Sequence, residues 1–270
     1  MRIRQKKLDM LVDVHGHFYA PRSNVPRSQA LNDAYLSTAG KVGITHIVGI
    51  VMGTWGDSSH TYMPSLDDMK YGNRFLLNVI EENKGFVFGY AYINPAYEEK
   101  ALKELEFCIR RGMIGMKLGA SVRCDSRLLD PLVKKCIEHN IPILQHVSQR
   151  RFGEYPHVAL SDAADLARLA KRFPEARIIQ AHVAGGGDWQ FGLRAAADIP
   201  NIWIDLSGSG CDNGLIEFAL STVGEDRLLF GTDLTLDTGI ARLNTLERLG
   251  ANIKKISYLN AQKVFRERFK

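Results

Sequence analysis

Eight short apolar runs, rich in β-branched residues, alternate with eight helical patterns along the chain. That order produces a parallel sheet with helices outside it. The chain has 270 residues, and a closed eight-stranded α/β barrel typically needs about 250. An open doubly wound sheet would carry a glycine-rich phosphate loop after its first strand, and Gly16-His17-Phe18 is not one. The prediction is an α/β fold, a (β/α)8 TIM barrel. No long linker, composition shift or low-complexity tract breaks the rhythm, so a single domain over residues 1–270 is expected.

The first strand, 11–18, alternates apolar and polar residues, the period of a strand with two distinct faces. Val12, Val14 and Phe18 fall on one face; Asp13, His15 and His17 fall on the other. Two imidazoles two residues apart point the same way and can share one small object. A metal ion is the simplest candidate, and a pair of hydrogen-bonded histidines is the alternative. A loop rich in Pro, Arg and Ser follows, then a helix over 28–41. Residues 44–51 are nearly all apolar and β-branched, the mark of a strand buried on both faces.

Ser65 with Asp68 three residues later is a capping box that starts the second helix. A strand over 86–93 stops at Asn94-Pro95, and a charged amphipathic helix runs over 97–110. A short strand at 112–118 contains Lys117 near its end. Asp130 is expected to cap the next helix with Pro131 at its first position. Strands at 141–147, 176–183, 201–206 and 227–234 alternate with helices at 161–173, after Gly185-Gly186-Gly187, at 213–223 and at 237–249. A last helical segment begins near 257.

Composition sets bounds on function. A 45% hydrophobic content and 24% charged content are ordinary for a globular domain with a sizeable core. The net charge of +5 is scattered, so it suits steering of small anions rather than nucleic acid, which requires a clustered basic stripe. The basic start is followed by a strand carrying charge and histidine, so no export signal is read. No apolar run approaches the roughly 20 residues of a membrane span. Four cysteines lack C-x-x-C spacing, which fits reduced thiols and a cytoplasmic location.

In α/β barrels the working residues sit at the C-terminal ends of strands. His15, His17, His146 and His182 all fall at such ends, with Asp233 at the end of the last strand and Lys117 at the fourth. One histidine there is usually structural; four with an aspartate are hard to explain that way. Asp13 shares the parity of His15 and His17, and is expected to point inward and orient a ligand histidine.

On these motifs the chain resembles the amidohydrolase superfamily, in its decarboxylase- and lactonase-like branch. The motifs are Asp13-Val14-His15-Gly16-His17, His146, Gln180-Ala181-His182-Val183-Ala184-Gly185-Gly186, Phe230-Gly231-Thr232-Asp233, and a closing helix around Ser257-Tyr258-Leu259-Asn260-Ala261. The resemblance implies one divalent metal on His15, His17, His146 and Asp233, with zinc the first choice and manganese the alternative. It implies that Asp233 holds or removes a water proton, and that His182 acts as acid, electrophile or weak ligand. It implies that Lys117 binds substrate, pairs with an acid or, if carbamylated, bridges two metals.

Loop arginines fit a carboxylate-bearing substrate. Arg22 and Arg150 are the candidates, and Arg27, Arg123 and Arg151 lie with them in the predicted loops after strands one, four and five. Trp55, His60, Tyr155, His157 and Trp189 could line an organic pocket, while His46 and His139 read as structural. The glycines at 185–187 read as a turn that lets the backbone approach the pocket. The leading expectation is hydrolysis of an ester, lactone or amide of a small anionic substrate by metal-activated water. Non-oxidative decarboxylation of an unsaturated or aromatic acid is the runner-up, and an inactive barrel used for binding is the third. No nucleic-acid or membrane partner is expected. A homodimer is the default assembly.

Overall fold

The computed structural model describes residues 10–54, 63–148, 159–183, 185, 188–208, 210, 212–233, 235–266 and 268–269. Eight parallel strands pair in sequence order: β1 (Val12–His17), β2 (His46–Ile50), β3 (Val87–Ile93), β4 (Gly115–Leu118), β5 (Ile143–His146), β6 (Ile178–Ala181), β7 (Ile202–Asp205) and β8 (Leu228–Leu229). The last strand is short, but the backbone beyond it closes the ring. Val14 N–H donates to the Phe230 carbonyl at 3.0 Å, and Asp233 N–H to the His15 carbonyl at 2.7 Å. The fold is a (β/α)8 TIM barrel.

The helices between and after the strands are α1 (Ser28–Lys41), α2 (Leu66–Glu82), α3 (Glu98–Arg110), α4 (Asp130–Glu138), α5 (Ala163–Arg172), α6 (Trp189–Ala197), α7 (Leu215–Val223), α8 (Leu236–Arg248) and α9 (Asn260–Phe265). Among the described residues, no helix is long and apolar enough to cross a membrane. Two apolar layers hold the barrel. Val12, Val14, Tyr90, Tyr92, Leu144, Ile179 and Leu229 fill its interior. A larger layer, with Ile47, Leu76, Leu105, Leu166 and Leu246, lies between strands and helices. Each large side chain so buried contributes about 1.5–3 kcal/mol. At the N-terminal end, Phe269 packs on His46 and Phe88, and Phe265 on Tyr90. His46 also meets Thr45 Oγ1 through Nδ1 at 2.9 Å, so its role there is structural.

Two local expectations need correction. The register of β1 against β2 shifts between Asp13 and Gly16, a bulge that changes which face a side chain takes. Val12 and Val14 line the interior, whereas Phe18 joins the outer layer. Asp13 does not share the face of His15 and His17: its carboxylate accepts from the Tyr35 hydroxyl of α1 at 2.8 Å. The Tyr90 hydroxyl donates to the Val14 carbonyl at 2.9 Å and so ties down the bulged backbone.

The second correction concerns Asp130, which is the first residue of α4 rather than its cap. A short turn at Arg127–Leu129, capped by Ser126, precedes it. The Asp130 carboxylate instead pairs with Arg172 at 2.9 Å. The Ser65–Asp68 capping box forms as expected, and Asp162 with Asp165 forms a second one at α5. Cys108, Cys124 and Cys136 are buried free thiols, and Cys211 lies outside the described residues.

Candidate metal centre

The site is built where β1, β4, β5, β6, β7 and the segment after β8 end. His15 Nε2 and His17 Nε2 are 3.2 Å apart. Asp233 Oδ1 lies 3.0 Å from His17 Nε2 and 3.4 Å from His15 Nε2. Atoms bound about 2.0–2.2 Å from one divalent ion stand roughly 2.8–3.1 Å apart in octahedral geometry and roughly 3.3–3.6 Å apart in tetrahedral geometry. These three residues therefore have the spacing and the donor chemistry of a metal site. His15, His182 and Asp205 form a second compatible group that shares His15.

The bulge in β1 is what brings His15 and His17 inward together. Asp13, on the other side, locks that strand to the segment after β8. It accepts from His15 N–H at 3.0 Å, Thr232 N–H at 3.1 Å and the Thr232 hydroxyl at 2.6 Å. Burial pushes the Asp13 carboxyl up even though these bonds oppose it. Asp233 follows Thr232 with a φ of 47°, and His182 has a φ of 73°. Both are left-handed conformations that cost a non-glycine residue of the order of 1–3 kcal/mol and that cluster at functional sites. Gly231 must be small: a Cβ there would stand 3.1 Å from the Asp205 Cβ and 3.3 Å from the His15 Cβ.

His146 and His182 meet beside the cluster, Nδ1 to Nε2, at 3.0 Å. His182 Nδ1 reaches Ser207 Oγ at 2.9 Å and Asp233 Oδ2 at 3.3 Å. Burial pushes both His17 and His182 down to about 4, so each is neutral near neutral pH and carries a lone pair. For Asp233, burial alone would raise the carboxyl, but His182, His15 and His17 around it hold it well below its usual range. Lys117 is fully buried, its Nζ 3.3 Å from His15 Nε2, and burial pushes it down to about 8.

Other expected contributors are spread out. Arg22 is exposed, its guanidinium over the Tyr71 ring at 4.4 Å. Arg123 is committed to Asp125 at 3.1 Å and Asp165 at 2.5 Å, so this loop cation serves the fold. Trp189 begins α6 and donates to Asp212 at 2.6 Å. Arg150, Arg151, Trp55, His60, Tyr155 and His157 lie outside the described residues. Gly185 allows the close approach expected of it, since a Cβ would stand 2.7 Å from the Val147 carbonyl oxygen.

Sequence reasoning missed Asp205. It ends β7, is fully buried, and accepts from His15 Nδ1 at 2.9 Å, His182 N–H at 3.0 Å and Ser207 N–H at 2.9 Å. Burial alone would raise its carboxyl, but His15 beside it holds it far below the usual range. A carboxylate behind a ligand histidine fixes the ring and raises its basicity. The signal was available: an acid at the end of a β-branched strand, level with the histidines of the neighbouring strands.

No curated protein aligns significantly with the chain. Among solved structures, it resembles the 2,6-dihydroxybenzoate decarboxylase from Rhizobium at a TM-score of 0.73 and 18% identity, over 95% of this chain and 98% of that one. The 5-carboxyvanillate decarboxylase from Novosphingobium aromaticivorans, complexed with manganese and a nitrobenzoic acid, aligns at a TM-score of 0.69 and 13% identity, over 95% and 96%. A Pseudomonas putida protein assigned as a 2-pyrone-4,6-dicarboxylic acid hydrolase aligns at 0.63 and 17% identity, over 97% and 99%. At such identities the likeness is one of fold. The family is shown by sequence: the amidohydrolase model matches residues 12–266, and the chain belongs to the amidohydrolase family.

Proposed function

We propose that this enzyme is a metal-dependent decarboxylase, replacing the carboxylate of an aromatic or unsaturated acid with a proton and using no oxidant. The observation that carries the reading is the arrangement of charge. Three donor atoms meet at one point, and the buried Lys117 amine stands 3.3 Å from one of them. With a divalent ion held by those donors, a carboxylate entering there would meet the charge of the ion as well as that of Lys117. His15, His17 and Asp233 would hold the ion, with His146 as a further ligand. When bound, the ion supplies Lewis-acid charge. Zinc suits these donors; manganese is the alternative, since one structural neighbour was solved with it.

The chain's own residues have three tasks. Lys117 pairs with the substrate carboxylate, and the loop arginines Arg22 and Arg150 are the candidates for its outer polar groups. The reaction breaks a C–COO⁻ bond and forms a C–H bond, so one proton must reach the vacated carbon. Asp233, whose side chain is partly open to solvent and whose Oδ2 is 3.3 Å from His182 Nδ1, takes one proton from water and delivers it to that carbon. The aromatic acids named for two of the neighbours favour this substrate class, although one fold hosts many reactions.

Hydrolysis of a lactone, ester or amide is the second reading. What favours it is that Asp233 keeps a quarter of its side chain exposed and could take a proton from water. The test is a panel of dihydroxybenzoates, 5-carboxyvanillate and 2-pyrone-4,6-dicarboxylate in heavy water enriched in oxygen-18. Release of carbon dioxide with one deuterium on the product supports decarboxylation. Oxygen-18 in the product without carbon dioxide release overturns it in favour of hydrolysis.

A further inference from the structure

Asp205 and Ser207 lie behind the donor cluster, and every hydrogen bond they make constrains where a proton sits. An ionised carboxylate only accepts. Asp205 Oδ2 is 2.9 Å from His15 Nδ1, so that nitrogen carries the proton and His15 Nε2 keeps its lone pair. The Ser207 hydroxyl is in hydrogen-bond contact with Asp205 Oδ1 and has one proton to give, which goes there. Its oxygen then accepts from what remains: His182 Nδ1 at 2.9 Å and, more weakly, His15 Nδ1 at 3.2 Å. Asp233 Oδ2, 3.3 Å from the same His182 nitrogen, is a second group that can only accept. His182 therefore bears its proton on Nδ1 and is bare at Nε2. His146 Nδ1 stands 3.0 Å from that bare nitrogen and is the donor to it. The proton on His146 Nδ1 leaves Nε2 as its lone-pair nitrogen.

We propose that Asp205 and Ser207 are positioning residues that set the ring tautomers of three histidines, His15 directly and His182 and His146 through a hydrogen-bonded relay. His146 donates to His182, His182 to Ser207, and Ser207 to Asp205. Each group gives one proton into the chain, and its far end is a single buried carboxylate. The consequence is that His15 and His146 both carry an unprotonated Nε2, the form in which imidazole binds a metal. That consequence rests on the metal-centre reading; the tautomers themselves do not.

Free histidine in water prefers its proton on Nε2, so three Nδ1–H rings are a distinctive signature. The test is nitrogen-15 NMR of the metal-free, full-length protein with labelled histidine at neutral pH. Single histidine replacements assign the signals. His15, His146 and His182 are expected as Nδ1–H rings. In Ser207→Ala only Asp233 Oδ2, at the longer 3.3 Å, still faces His182 Nδ1, so His182 and His146 are expected to shift part of the way toward the Nε2–H form while His15 stays, because Asp205 is still present. Ser207→Thr keeps the hydroxyl and should restore the wild-type pattern. A wild-type His182 protonated on Nε2, or a Ser207→Ala spectrum with His182 and His146 unchanged, overturns the relay. Should a variant fail to fold, the wild-type spectrum alone decides the tautomers. Zinc titration against a chromophoric chelator is the second readout, with Ser207→Ala expected to weaken affinity roughly tenfold or more. The expected tautomers in a protein that takes up neither zinc nor manganese would support the relay and overturn the metal reading.

Discussion

Asp233 sits at the crossing of three demands. Its N–H closes the barrel onto the His15 carbonyl, its Oδ1 faces His15 and His17, and its Oδ2 faces His182. Asp233→Asn keeps the shape and removes the charge that the proposed ligand and proton-carrier roles require. Turnover is expected to fall by roughly 10²-fold or more, with a circular dichroism spectrum like that of the wild type. Full activity in this variant would refute the proton role. Gly231 gives a second expectation at the same scale. A methyl group in Gly231→Ala would press on the Asp205 and His15 Cβ atoms at 3.1–3.3 Å. Zinc affinity, measured by chelator competition, is expected to drop while the barrel still folds.

At the scale of single elements, the caps were readable because they are local. Ser65 accepts from Asp68 N–H at 3.1 Å, as the spacing implied, and Ser65→Ala is expected to cost about 1 kcal/mol in denaturant unfolding. The bulge in β1 was not readable. Alternation assigned Asp13 to the histidine face, but one extra residue in the strand turned it toward Tyr35. Nothing in a single sequence distinguishes the two until α1 supplies the hydroxyl. Asp205 escaped for another reason: a histidine at a strand end is a candidate ligand by its type alone, whereas an acid acting behind a histidine is recognised only with the neighbouring strand in place. Arg123 showed the converse, an apparent loop cation already taken by Asp125 and Asp165.

That ion network also carries a pH expectation. Burial would raise the Asp125 carboxyl, but its bonds to Arg123 and Arg168 hold it below its ordinary value. A carboxylate depressed in the folded state stabilises above its unfolded value, and that contribution is lost as pH falls through the folded value. The melting-temperature gap between wild type and Asp125→Asn should therefore be full near neutral pH. It should shrink as the pH drops below about 4. A gap that stayed constant through that range would count against the network.

At the scale of the whole molecule, the fold was legible because it rests on repetition. Eight β-then-α units in a chain of this length leave little besides a closed barrel, and the strands do pair in order from β1 to β8. Closure then does what sequence distance cannot: it brings His15, His146, His182 and Asp233 to one end of one ring of strands. The site residues were legible only through that rule of strand ends. Their mutual contacts, from the His146–His182 pair to the Asp205 tie, needed the packed barrel.

The most direct test is the metal content of the purified protein. It should be prepared without chelator and measured by mass spectrometry beside a His15→Ala/His17→Ala double variant. About one zinc or manganese per chain in the wild type, absent from the folded variant, is the result this account predicts. A wild-type protein that holds no metal even after both ions are supplied would contradict it.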